Sequence, residues 1–187
     1  NKVLDRFGLL ECEKINIEHL INTILIDLET FVLKDPSANN NYKMILESYQ
    51  GFAAVMNYRI ANYIHKSFDD DFFRIKARKI SEYTKTITGI EIHPNASIGH
   101  SFVLDHGFGT VIGETLIIGK DCYILQGVIL GSKGISDNCS KKRHPTIGNK
   151  VEIGAFCRLF GNITVGDNVF ISPHNVVTQD IPNNTKL

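Results

Sequence analysis

Between Ile92 and Val177 an apolar side chain recurs at every sixth position, a spacing that belongs to neither a helix nor an ordinary strand. Ile92, Ile98 and Leu104 keep the step. After a slip of two residues Ile112, Ile118, Ile124 and Leu130 resume it, and Ile147, Ile153, Leu159, Val165, Ile171 and Val177 complete it. Small residues follow many of these positions, among them Gly99, Gly113, Gly119, Gly131, Gly148, Gly154, Gly166 and Ser172, where a short strand must bend sharply. The pattern predicts a parallel β-helix of hexapeptide repeats. Its strands are too short to bury a face alone and gain stability by stacking coil on coil, about 4.8 Å apart.

Ahead of the repeat the apolar positions change to helical spacing. Ile17, Leu20, Ile21, Ile24, Leu25, Leu28 and Val32 fall at steps of three and four and predict a first helix, which Asp35-Pro36 ends. Ile45, Leu46, Tyr49, Phe52, Ala53, Met56, Ile60 and Ile64 predict a second from Tyr42 to His65. Phe72, Ile75, Lys79 and Ile80 predict a third from Asp71 to about Thr84. The expected fold class is therefore α+β, with a helical domain over residues 1–88 and a β-helix domain over residues 89–187. One polar, basic, glycine-bearing excursion, residues 132–146, interrupts the repeat. A long departure from a regular array points to function, although a solvated loop would read the same way.

With 187 residues, 43% of them hydrophobic, the chain can bury a sizeable core. Twenty Lys and Arg balance twenty Asp and Glu, so no global field draws nucleic acid or an anionic membrane, and recognition must be local. No apolar run approaches the roughly 20 residues of a membrane span, and the first residues lack the basic-then-apolar order of an export signal. Cys12, Cys122, Cys139 and Cys157 show neither C-x-x-C spacing nor a zinc-like pairing with histidine. Reduced thiols, a cytoplasmic location and no metal site are expected.

Three stretches place polar chemistry inside the repeat: Gly89-Ile90-Glu91-Ile92-His93-Pro94, then Leu104-Asp105-His106-Gly107 followed by Gly113-Glu114-Thr115, and Arg143-His144-Pro145. Asp105 and His106 stand out because they interrupt an apolar-patterned coil beside the two-residue slip. A histidine, with an unperturbed pKa near 6.5, suits a general base at neutral pH. Arg143 offers a planar fork matched to a carboxylate. Together with Lys34-Asp35-Pro36 and the segment from Gly51-Phe52 to Tyr58-Arg59-Ile60, these stretches resemble the serine O-acetyltransferases of the hexapeptide-repeat acyltransferase family, over roughly Asp35 to Pro182.

The resemblance implies a left-handed prism and transfer of an acetyl group from acetyl-CoA, as co-substrate, to the hydroxyl of L-serine, the first step from serine to cysteine. His106 is then the base. Glu91, fifteen residues earlier, holds its imidazole where the family places an aspartate. Asp35 and Asp105 receive the serine ammonium, Arg143 its carboxylate, and His144 contacts the substrate. The CoA arm is expected between neighbouring prisms of a homotrimer, along Gly131, Ala155, Ser172 and Pro173, with Lys133 or Lys141 on the phosphates. Two trimers pair in this family through a longer helical region, and a C-terminal tail docks into O-acetylserine sulfhydrylase; the typical tail is absent from this chain, which ends at Leu187.

Plainer roles compete for the same residues. Asp35 before a proline is a good helix stop, and Glu91 or Arg143-His144 could be solvated charges. Two other functions fit the repeat. One is O-acetylation of another small hydroxyl, such as a sugar, which would give Arg143 no carboxylate to bind. The other is a non-catalytic scaffold, for which Glu91 is the best sign. A hexapeptide carbonic anhydrase would need three histidines converging on zinc, and the acyltransferase motif accounts for the same residues better.

Overall fold

A computed structural model describes residues 2–9, 12–13, 15–134 and 141–187. Helix α1 (Lys2–Arg6) leads into α2 (Ile17–Lys34), whose start is capped by the Asn16 side chain accepting the His19 N–H. Asp35 ends α2 in an extended conformation and its side chain caps a 3₁₀ turn, Pro36–Ala38. The sequence pattern predicts one helix from Tyr42 to His65, but the structure contains two, α3 (Tyr42–Ser48) and α4 (Gln50–Ser67). Tyr49 breaks the run in an extended conformation. A Cβ at Gly51 would lie 2.0 Å from the Leu104 carbonyl oxygen, so glycine lets the first turn of α4 press against the first coil. Helix α5 (Asp71–Thr88) runs a turn beyond its predicted end and stops at Gly89, which adopts φ 68°.

The chain then winds through thirteen short strands among the described residues, forming the three parallel sheets of a left-handed β-helix. Numbered in chain order, the first face stacks β1 (Glu91–Ile92), β4 (Val111–Ile112), β7 (Ile129–Gly131), β10 (Arg158–Phe160) and β13 (Val176–Val177). The second stacks β2 (Ser97–Ile98), β5 (Ile117–Ile118), β8 (Thr146–Ile147) and β11 (Thr164–Val165). The third stacks β3 (Val103–Leu104), β6 (Tyr123–Ile124), β9 (Glu152–Ile153) and β12 (Phe170–Ile171). All thirteen positions of the six-residue series point inward, the most exposed at 8%. The excursion leaves after Gly131 and is back in a strand at Thr146; its tip, residues 135–140 with Cys139, lies outside the described residues.

The two-residue slip is a bulge at one corner. Leu104 pairs with Ile124 and Ile112 with Leu130, so eight steps in the first coil oppose six in the second. His106 and Gly107 take up the excess with φ of 57° and 70°, which is natural for glycine and uncommon for histidine.

Helices and coils share one apolar cluster, running from Leu28, Phe31, Ile45 and Phe52 into the prism axis. A buried polar knot fixes the docking. Asp27, fully buried, accepts Arg59 Nε at 2.7 Å and Nη2 at 3.2 Å together with the Phe102 N–H at 3.0 Å. Arg59 also donates to the carbonyls of Ile98 and Gly99, both at 2.6 Å. Tyr58 donates to the Ala96 carbonyl and accepts the Ile98 N–H. Every polar atom named is thereby satisfied without water.

Candidate active site

The sequence-predicted residues gather at two different corners of the prism. Where the third face turns into the first, the bulge presents Asp105 and His106 to a pocket of about 480 Å³ whose wall also includes Asp35, Ser37, Tyr49, Gln50, Gly51 and Leu104. Asp35 comes from the end of α2 and is carried there by the docking of the helices. Its carboxyl is held below the usual range, first by a hydrogen bond from Tyr49, and the Tyr49 phenol is pushed up to about 12 by the same contact. Tyr123, the outward residue of β6, donates to Asp105 Oδ2 at 2.8 Å. His106 Nε2 lies 3.7 Å from that oxygen, and the imidazole is 70% exposed within one chain, so most of the ring is open to water.

Arg143 and His144 stand at the next corner, where the first face turns into the second. Arg143 pairs with Glu114 one coil below, which holds the Glu114 carboxyl below its usual range. The His144 ring accepts at Nδ1 from the Thr115 N–H, 3.1 Å, and lies 2.8 Å from the Thr115 hydroxyl, whose oxygen takes the N–H groups of Arg143 and His144. That network assigns the ring proton to Nε2, and burial lowers the His144 pKa, which favours the same neutral form. The ring lies flat over Gly113, where a Cβ would meet Nε2 at 2.1 Å; only glycine leaves this room. Lys142 ties the returning strand down by donating to the carbonyls of Thr115, His144 and Pro145, at 2.5–2.7 Å.

Glu91 is placed elsewhere. Its carboxylate on the first face takes Lys85 at 2.7 Å and lies 3.8 Å from Arg78, both from α5, and no ion pair joins it to His106 within the chain. Glu91 points out of the first face toward α5, and the two cations of that helix, rather than the imidazole one coil on, hold its carboxylate. The expected cofactor residues also divide. Ala155 and Pro173 stack on the His106 corner, two and three coils further along, next to Ser172 and to Phe156 and His174, whose rings stack at 5.3 Å. Gly131 and Lys133 lie on the Arg143 corner, against Phe160 and Gly161. Lys141 is exposed.

The sequence reading gives no role to Tyr49, Tyr123, Glu114 or Lys142. Glu114 falls inside a quoted motif, and Lys142 adjoins Arg143; the two tyrosines carry no local signal. Among the described residues no group of three or more His, Cys, Asp or Glu side chains is gathered to hold a metal, and no helix is long and apolar enough to cross a membrane. Cys12, Cys122 and Cys157 are free thiols.

Comparison with known proteins gives the family. A family model described as the GMPPB C-terminal domain matches residues 86–186, the coils and the last turn before them. A serine acetyltransferase of Helicobacter pylori is 44% identical over 155 residues, 83% of this chain and 86% of that protein. Among solved structures, serine acetyltransferase isoform 3 of Entamoeba histolytica in complex with cysteine superposes with a TM-score of 0.83 at 35% identity, over 100% of this chain and 66% of that one. The Neisseria gonorrhoeae serine acetyltransferase in complex with serine gives 0.80 at 32%, over 90% and 66%. The chain thus spans about two thirds of the length of these solved relatives.

Proposed function

The chain belongs to the serine acetyltransferase family, and from that premise we propose that it transfers an acetyl group from acetyl-CoA to the hydroxyl of L-serine, as the first step of cysteine biosynthesis. His106 Nε2 takes the proton from the serine hydroxyl as that oxygen attacks the thioester carbonyl. The tetrahedral oxyanion collapses, the carbon–sulfur bond breaks, and the imidazolium returns its proton to the CoA thiolate, releasing O-acetylserine. A base of this type contributes about 10²- to 10⁴-fold.

The reading is carried by one observation: one face of the prism is flanked at one edge by Asp35, Asp105 and His106 and at the other by Arg143 and His144. Three prisms packed about a threefold axis bring the first edge of each against the second edge of its neighbour. A serine between them then has its ammonium on Asp35 and Asp105 and its carboxylate on Arg143, whose far side Glu114 steadies. The partner prism also covers the exposed imidazole, and dry surroundings strengthen every charge contact there. Glu91 holds the imidazole in the role the family gives an aspartate, which requires its carboxylate to exchange Lys85 for the ring. Acetyl-CoA lies along the same seam, past Ala155, Ser172 and Pro173 of one chain and Gly131 of the next, with Lys133 or Lys141 on its phosphates. The free thiols fit a reducing, cytoplasmic setting.

Mixing the purified protein with serine, acetyl-CoA and a thiol reagent tests the proposal. Serine-dependent release of free CoA is expected, lost in His106→Ala and shifted to high serine KM in Arg143→Ala. Release that does not depend on serine, or an unchanged serine KM in the second variant, contradicts it.

A further inference from the structure

The pocket beside His106 contains two carboxylates, and a phenol serves each. Tyr49 donates to Asp35, and Tyr123 donates to Asp105 Oδ2 at 2.8 Å. The same Oδ2 lies 3.7 Å from His106 Nε2, beyond hydrogen-bond length, so a small rotation of Asp105 would close that gap. One oxygen therefore has two competing donors, and in the structure the phenol has it. Tyr123 is well placed to keep it. It rises from the second coil opposite Val103, so its reach to Asp105 is set by strand register rather than by a loop. Burial, and then Asp105 itself, push its phenol up, so it stays a donor throughout the range in which a histidine titrates. The Lys34 ammonium lies 5.7 Å over the Tyr123 ring and adds a further restraint.

We infer that Tyr123 is a positioning residue: its hydroxyl ties down one oxygen of Asp105, keeping that carboxylate turned into the pocket as a receptor for the substrate ammonium and off the ring of the base. The inference rests on the amino-acid acetylation proposed above. Without the phenol, Asp105 closes on the imidazole. It is then withdrawn from the ammonium, and it favours the protonated ring, leaving a smaller neutral fraction to take the hydroxyl proton. The other titratable groups facing the ring from this chain are Asp35 and Tyr49, and both are unchanged in a Tyr123 variant.

Tyr123→Phe tests this in the full-length protein, since it removes one oxygen from a half-buried side chain and leaves the ring. Histidine-labelled NMR follows the His106 titration, with the signal assigned by its loss in His106→Asn, and steady-state kinetics follow serine. The His106 titration is expected to move up by about one unit, the scale of a carboxylate at contact distance. Serine KM should rise about tenfold, the scale of one hydrogen bond to a charged group, with acetyl-CoA KM unchanged. Adding Asp105→Asn to the phenylalanine variant should cancel the His106 shift. A His106 titration that stays in place overturns the inference, whether or not the melting temperature falls. The NMR arm needs no turnover. If the unsubstituted protein fails to acetylate serine, the proposed function fails while the hold on Asp105 is still decided by the titration.

Discussion

Asp27 does not line the pocket beside His106, yet its loss should reach that pocket. In Asp27→Ala the buried Arg59 guanidinium loses its carboxylate partner and keeps two backbone carbonyls, while the Phe102 N–H loses its acceptor. Removing one partner of a buried ion pair costs about 3–5 kcal/mol. For a chain of this size that is a fall in Tm of roughly 6–20 °C. The effect is not confined to stability, because the same knot docks α2 and α4 on the first coil, and α2 carries Asp35 while the α3–α4 break carries Tyr49. Loosening the helices should raise serine KM more than acetyl-CoA KM, since the expected CoA seam is built from coils alone. Replacing both residues, Asp27→Leu with Arg59→Met, should recover part of the stability, because an apolar pair needs no desolvation of charge although the Phe102 N–H and the Ile98 and Gly99 carbonyls stay without their partners. Urea unfolding and serine titrations measure both quantities. A loss below about 1 kcal/mol, or a serine KM that stays put while stability falls, refutes the link between docking and pocket.

Two further outcomes follow from particular contacts. Gly113→Ala puts a methyl group 2.1 Å from His144 Nε2, so the ring must leave its Thr115 bonds. Overpacking of this kind costs about 1–3 kcal/mol, and serine KM should rise with it; a variant with wild-type Tm and KM would show that His144 sits elsewhere. His93, half-buried, has its pKa lowered to about 4, first by burial and then by Arg78, so between an unfolded value near 6.5 and that folded value the unfolded chain binds more protons. Stability should therefore fall as pH drops from about 6.5 to 4, and His93→Gln should flatten that slope in acid-titrated melting curves.

The coils were legible because the repeat couples sequence to burial directly: every sixth residue faces the prism axis, and all thirteen are buried. The helical pattern was less decisive. An apolar stripe continues smoothly through Tyr49, so periodicity alone does not mark the break there, which comes just before Gly51 packs closely on the Leu104 carbonyl of a distant segment. Asp105 and His106 stood out as polar intrusions into an apolar repeat, and Arg143 and His144 through the motif they form at the end of the basic excursion. The contacts of Tyr123 and Glu114 were not legible, since both occupy outward positions where any polar residue is tolerated and meet Asp105 and Arg143 only because one coil stacks on the next. The pairing of Glu91 with Lys85 depends on where α5 lies over the first face, which strand periodicity does not encode.

The central claim is that each site is built from two chains, with His106 from one and Arg143 from its neighbour. Unfolding and refolding an equal mixture of His106→Ala and Arg143→Ala chains tests it, because each mixed trimer contains one interface where both intact residues meet. Serine-dependent CoA release should return to about one quarter of the unsubstituted rate, from variants nearly inactive at low serine when refolded separately. A refolded mixture no more active than its two components would contradict the account.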